Sequence, residues 1–236
     1  MGVVRPVVRN VIRSVVRSAV RAPSVIQRYF TELNAAFGQY YTIPTVTLNG
    51  DFELNLSSST TSTQLEIYLS GEDSIDRFYV GVETGKLLIG NGTDRTVTTK
   101  VISDGKLHNI KLSSSGGVLT AYVDGVVEYT NSLLASFPKT LINIGVGKSP
   151  TNFKTTGIIS NVWFKVNGTL IRDYNIDESW SGGSTILNDS SGNNQHGTAV
   201  NITDAYAELF ELNESTTPDQ WESTESATII QIAGTP

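Results

Sequence analysis

From Tyr41 onward, apolar and polar residues alternate. Phe52, Leu54 and Leu56 alternate with Glu53 and Asn55, and Leu65, Ile67 and Leu69 alternate with Glu66 and Tyr68. A strand points successive side chains to opposite faces, so period two is the mark of half-buried strands. The runs RFYVGVE, KLLIG, RTVTTKVI, LHNIKL, VLTAYVDG, VVEYT, LINIGVG, IISNVWFKV and TLIRDYNI continue the pattern. Turn-forming pairs punctuate them, among them Asn49-Gly50, Gly116-Gly117, Asp124-Gly125 and Asn167-Gly168. Short alternating strands with this punctuation predict an all-β protein, an antiparallel jelly-roll sandwich. Leu119, Ala121 and Val123 share one face of their strand. In GIISNVWFKV the same count places Ile158, Val162, Phe164 and Val166 on the core face. Trp163 then points the other way with Ile159, covering a second layer or lining a binding surface.

The period changes upstream. Ser24 is a candidate cap, and Ile26, Tyr29, Phe30, Leu33, Ala36, Phe37 and Tyr40 recur at steps of three and four. That spacing predicts a short amphipathic helix ending near Gly38. Before it runs a four-residue repeat, VVRP, VVRN, VIRS, VVRS and AVRA, which spaces Arg5, Arg9, Arg13, Arg17 and Arg21 evenly. On a helix these guanidinium groups form one drifting stripe. On a strand, Val3, Arg5, Val7 and Arg9 share a side. The helix keeps the segment more amphipathic, although β-branched residues are mediocre helix formers. Neither form has an apolar partner within its own segment, so the arm is expected to dock on another molecule. The resulting plan is an anchoring arm over 1–23, a helix and linker over 24–40, a jelly roll over 41–200 and an acidic extension over 201–236.

Charge sharpens this picture. The 236-residue chain has a net charge of −6, yet residues 1–28 carry six Arg and no acid, whereas residues 201–236 carry seven acids and no base. Such polarity concerns partners more than folding. Assembly docking by the Arg ladder ranks above binding to a membrane surface, to nucleic acid or to a targeting receptor. An Arg at every fourth position is unlike a secretory signal, and no run approaches the roughly 18 apolar residues that cross a bilayer.

The stretch from Asp104 to Val166 resembles the laminin G-like, concanavalin A-like lectin and glucanase jelly roll. The residues that carry the likeness are SDGKLHNIKL at 103–112, LTAYVDGVV at 119–127, LINIGVG at 141–147 and GIISNVWFKV at 157–166. DSSGNNQHGTA at 189–199 is similar to the closing segment of such modules in bacteriophage tail and appendage proteins. The Val/Arg arm resembles segments that tie phage fibres to the virion. The resemblance implies a bacteriophage virion protein assembled in the host cytoplasm. It would be an anchored, oligomeric fibre or decoration subunit that holds other virion proteins through its arm and reads host-surface glycan with its jelly roll. The rival is a purely architectural capsid decoration or fibre-base adaptor without a ligand. A glycoside hydrolase ranks below both.

Candidate chemistry is sparse. Retaining glycosidases need two carboxyl groups about 5 Å apart, and no E-x-D-x-E strand supplies them. Glu72-Asp73 and Asp177-Glu178 are adjacent and would face opposite ways. Two His and no Cys leave little material for zinc or for a nucleophilic triad. No catalytic residue is therefore assigned. Calcium is the one cofactor the resemblance leaves open, at Asn188, Asp189, Asn193 and Asn194, where ordinary turn chemistry explains the same residues. Glycan binding calls for an aromatic platform beside polar groups. Tyr174, Asp177, Trp180, Asn188, Asp189, Asn193, Asn194 and His196 are the candidates, against a reading in which these aromatics simply cover the sandwich.

Overall fold

A computed structural model describes residues 26–30, 32–71, 77–91, 94–132, 138–147, 153–176, 185–202, 206–210 and 230–231. The Arg5 to Arg21 ladder, Asp177, Trp180 and the pairs Glu72-Asp73 and Asp177-Glu178 lie outside them.

In chain order the strands are β1 (Ile26–Phe30), β2 (Glu32–Leu33), β3 (Tyr40–Leu48), β4 (Phe52–Ser59), β5 (Glu66–Ser70) and β6 (Phe78–Glu83). Next come β7 (Lys86–Asn91), β8 (Arg95–Val101), β9 (His108–Ser115), β10 (Val118–Val123), β11 (Val126–Asn131) and β12 (Lys139–Ile144). The last six are β13 (Gly157–Val166), β14 (Thr169–Tyr174), β15 (Ile186–Leu187), β16 (Gly197–Val200), β17 (Tyr206–Phe210) and β18 (Ile230–Gln231). One sheet runs β11-β10-β9-β4-β13-β14, with β2 also on β13, and the other runs β15-β16-β3-β12-β5-β6-β7-β8. The strand pairs are antiparallel throughout. The two sheets bury one common core in which Phe52, Leu54 and Leu56 face Phe78, Val80 and Val82, as expected of an aligned sandwich. Phe52 and Phe78 meet edge to face across the layers.

The hairpin chemistry is as the sequence implies. Asp124 and Gly125 both have positive φ, at 53° and 79°, as do Asn167 and Gly168, at 49° and 77°. These are the paired left-handed conformations of a type I′ turn, whose twist matches that of the flanking strands. Leu119, Ala121 and Val123 are all buried in the core.

Three expectations need correction. The helix over 24–40 does not form. Ile26–Phe30 instead pairs with Tyr206–Phe210, and Glu32–Leu33 pairs with the start of β13. Among the described residues of the segment the helical piece is a single 3₁₀ turn, Ala35–Phe37, capped by the Asn34 side chain and closed by Gly38 at φ 64°. Of the expected apolar face Leu33 is buried, but Ala36 and Phe37 are exposed, and the spacing missed strand partners that lie far along the chain.

The second correction is in β13. Asn161 has φ 49° and interrupts the register against β4 between Ser160 and Trp163. This bulge flips the strand's parity, so Ile159 enters the core with Val162 and Phe164, and Ile158 faces outward. The third is in β5, where the register against β6 shifts between Ile67 and Leu69. Tyr68 and Leu69 both join the core, while Ile67 goes to the outer face.

The small sheet β1-β17-β18 joins the two ends of the described chain and sets Arg28 opposite Glu208.

Candidate functional site

The outer face of the eight-stranded sheet carries a cleft. Arg77 and the strand β6 that follows it read R-F-Y-V-G, so with Phe78, Val80 and Val82 in the core, Arg77, Tyr79 and Gly81 point outward. Tyr79 lies opposite Ser70 on one side and Gly90 on the other, and Gly90 lies opposite Arg95. Ile67, Gly81 and Leu88 form the next row. Gly90 has no side chain, and the Tyr79 ring occupies the space that a Cβ would need. Phe153 closes one wall. Its carbonyl accepts the Ile67 N–H at 2.9 Å, and it is 47% exposed. The cleft encloses about 130 Å³ between Leu65, Ile67, Leu88, Phe153 and the two arginines.

Its polar groups are unequally engaged. The Arg95 guanidinium pairs with Glu83. The Ser70 hydroxyl donates to the Val146 carbonyl at 2.8 Å and accepts from Asn143. The Arg77 guanidinium stands 5.1 Å from the centre of the Tyr79 ring, a cation–π arrangement. Its Nε is buried and makes no hydrogen bond, and Arg77 makes no ion pair among the described residues. Burial raises the Tyr79 phenol above its ordinary value, while Arg77 and Arg95 pull it back and Glu83 adds to the rise.

A second exposed surface lies on the outer face of the other sheet. Trp163 is half-buried there, with the Lys165 ammonium 4.9 Å from its ring, and its strand neighbours are Asn55 and Asp173.

The loop residues singled out from the sequence come together, but largely to hold the loop itself. Asp189 accepts the backbone N–H groups of Asp173 and Ser191 on one oxygen and that of Gln195 on the other, at 3.0–3.1 Å. Burial raises its carboxyl, but these bonds and the Ser191 hydroxyl outweigh it, and the net shift is downward. The Asp189 N–H in turn donates to His196 Nδ1 at 3.0 Å. Asn193 Nδ2 donates to the Ile171 carbonyl at 3.1 Å. Asn188 and Asn194 are exposed. The Tyr174 ring is buried in the core and offers no stacking face, and its hydroxyl donates to the Gln195 carbonyl at 2.8 Å. Burial drives that phenol well upward. A carboxylate ringed by N–H donors is the opposite of what a cation wants beside it. Among the described residues, no three His, Cys, Asp or Glu side chains converge as a metal site.

Sequence reasoning passed over Arg77, Tyr79 and Arg95. The alternation Arg77-Tyr79-Gly81 within RFYVG was a visible signal. Its meaning depends on Gly90 and Arg95, which only strand pairing brings alongside.

No known protein-family model matches the chain, and no curated protein matches it in sequence. Solved structures do match in shape. One is a candidate carbohydrate-binding protein from Bacteroides ovatus, with a TM-score of 0.58 at 13% identity over 78% of this chain and 60% of that one. Another is the LG1–3 region of the laminin α2 chain, with a TM-score of 0.52 at 16% identity over 75% of this chain and 30% of that one. The chain thus spans less than two thirds of either structure. At such identities the likeness concerns architecture. The two packed antiparallel sheets and these two neighbours agree on one conclusion: the chain has the laminin G-like, concanavalin A-like jelly-roll fold.

Proposed function

We propose that the chain is a glycan-binding subunit of a bacteriophage appendage, with the jelly roll as its reading head and the Val/Arg segment as its attachment. The observation that carries the glycan reading is the Tyr79 cleft. Apolar walls at Ile67, Leu88 and Phe153 suit the C–H face of a sugar ring, and Arg77 supplies donors at the rim. The attachment reading is supported by the five evenly spaced arginines, whose Val and Ile companions offer an apolar stripe to a partner. The subunit acts as an oligomer in this reading, docked on other virion proteins.

A purely architectural subunit is the second reading, and one feature favours it. Val126 and Val127, at the start of edge strand β11, are 61% and 54% exposed and present apolar surface suited to another protein.

Screening the full chain on an array of bacterial surface polysaccharides tests the first reading, with retention by at least one glycan expected. Retention by none, together with particle incorporation lost in a folded Val126→Ser, Val127→Ser variant, would favour the architectural one. Deleting residues 2–22 is expected to leave a folded jelly roll that no longer joins its particle. Normal incorporation of the truncated chain would overturn the attachment role.

A further inference from the structure

Resting on the glycan-binding reading, we propose that the Tyr79 cleft selects saccharides that carry a carboxylate, such as uronic acid residues, with Arg77 as the selecting group. Three observations lead there. The first is the state of Arg77. Its Nε is out of solvent with no acceptor, whereas Arg95, the other arginine of the cleft, is already paired with Glu83. A buried donor without a partner is costly, and the cost is relieved by whatever brings an acceptor. A guanidinium offers two parallel N–H groups in a plane, and a carboxylate is the group that takes both at once.

The second is preorganisation. Arg77 lies against the Tyr79 ring, and that ring is set down on Gly90. The fork therefore does not have to be gathered from solvent when a ligand arrives, which lowers the ordering cost of binding.

The third is the shape and composition of the space. About 130 Å³ is small beside ordinary ligand pockets. It suits one ring of a longer chain whose neighbouring residues remain outside. Leu88 and Ile67 form an apolar side against which the ring's C–H face can lie, leaving a ring substituent to meet Arg77. Ser70 does not compete for that substituent, because its hydroxyl is engaged by Val146 and Asn143. A neutral sugar would fill the same space and offer Arg77 only single, uncharged hydroxyl oxygens in place of the charged, two-oxygen acceptor that the fork matches. A site with a buried donor discriminates strongly against the analogue that lacks the acceptor.

The test uses the full chain and three kinds of probe in titrations at fixed salt: oligogalacturonates and alginate fragments, the same oligomers after carboxyl reduction, and dextran sulfate. The expected result is binding of a carboxylated oligomer, weakened about tenfold or more by carboxyl reduction and equally by Arg77→Gln. Arg77→Lys, which keeps the charge and loses the fork, should fall between. Trp163→Ala, on the other sheet, should leave binding unchanged, and thermal melting of each variant reports folding. Equal binding of oligomers and their reduced forms overturns carboxylate selection and leaves glycan binding standing. Loss in Trp163→Ala with retention in Arg77→Gln moves the site to the other face and overturns the assignment. Equal competition by dextran sulfate shows a plain polyanion surface and overturns it too. Binding of no saccharide, acidic or neutral, removes the glycan reading itself.

Discussion

Tyr79 sits directly opposite Gly90 in the β6–β7 pair, and its ring fills the place where any other residue would put a Cβ. The two positions form a single unit: glycine is the floor that lets the ring lie flat, and the ring sets the height of Arg77. Gly90→Ala should displace the ring and destabilise the fold by about 1–3 kcal/mol, as overpacking does. It should also weaken oligosaccharide binding as much as Tyr79→Ala does. Denaturant titration and binding measured on the same preparation check both. A variant with unchanged stability and binding would show that the ring has another resting place.

The fold class and the hairpins were legible in the sequence because they depend on local rules. Alternation placed Phe52, Leu54 and Leu56 correctly, and Asp124-Gly125 and Asn167-Gly168 announced their turns. What escaped was set by partners far along the chain. Ile26–Phe30 is a strand because Tyr206–Phe210 lies beside it, and nothing within the segment says so. The bulges at Tyr68 and Asn161 each insert one residue into a strand, after which every inward and outward assignment reverses. Ile67 and Ile159 were misassigned for that reason. The cleft was hidden for the same cause, since Arg77, Tyr79, Gly90 and Arg95 come from three strands.

The β13 bulge yields a stability prediction. Asn161 adopts φ 49°, which Asn and Gly tolerate and β-branched residues resist. Its carbonyl also accepts from Asn55 Nδ2 at 3.3 Å. Asn161→Val should cost about 1–3 kcal/mol, and Asn161→Gly less than about 1 kcal/mol. Chemical denaturation gives the order. If both variants cost the same, side-chain contacts rather than backbone conformation hold the bulge.

His108 ties the β8–β9 connection to the β10–β11 hairpin turn. Its Nδ1 is 2.8 Å from Asp124 and its Nε2 2.9 Å from Asp104, and the ring is nearly buried. Both contacts are hydrogen bonds only when each ring nitrogen carries a proton. His108→Leu should destabilise by about 1–3 kcal/mol, and adding Asp124→Asn should cost less than the sum of the two singles. Slight burial raises the Asp104 carboxyl, but the Lys106 N–H and His108 outweigh it and hold it below its ordinary value. The stability it contributes is therefore present above the ordinary carboxylate range and fades as pH falls through the depressed one. Additive single variants would show that the clamp does not act as a unit.

Asp173 and Asp189 titrate in opposite directions. Burial, and then the Asp189 charge, raise the Asp173 carboxyl, while Asp189 is lowered. Asp189 thus stabilises the closing loop at neutral pH and loses that effect as pH falls through its depressed value, so Asp189→Ala should cost about 1–3 kcal/mol at pH 7. Asp173 has the reverse sign. Asp173→Asn should be mildly stabilising at neutral pH, with the gain vanishing as pH falls through the raised value. Thermal melts across pH 3–8 would separate the two. Divergent carboxyls can mark an acid/base pair, so the same variants should be assayed for new reducing ends on polysaccharides. Release is expected to stay at background in wild type. A signal abolished by Asp173→Asn would make the chain a hydrolase.

The strand order has a consequence for how the protein comes into being. Strands β3 and β4, joined by a tight turn near the beginning of the sandwich, lie side by side in sequence but in different sheets. Strand β3 is held by β12 and β16, and β4 by β9 and β13. None of these partners exists while the first hundred residues are leaving the ribosome. Val200, at the end of β16, must have emerged before β3 has both neighbours. The apolar faces of Phe52, Leu54 and Tyr41 therefore wait for strands made much later, and closing such distant pairings is slow. The sandwich cannot close until β16 has been made, and until then the growing chain is open to association with its own kind.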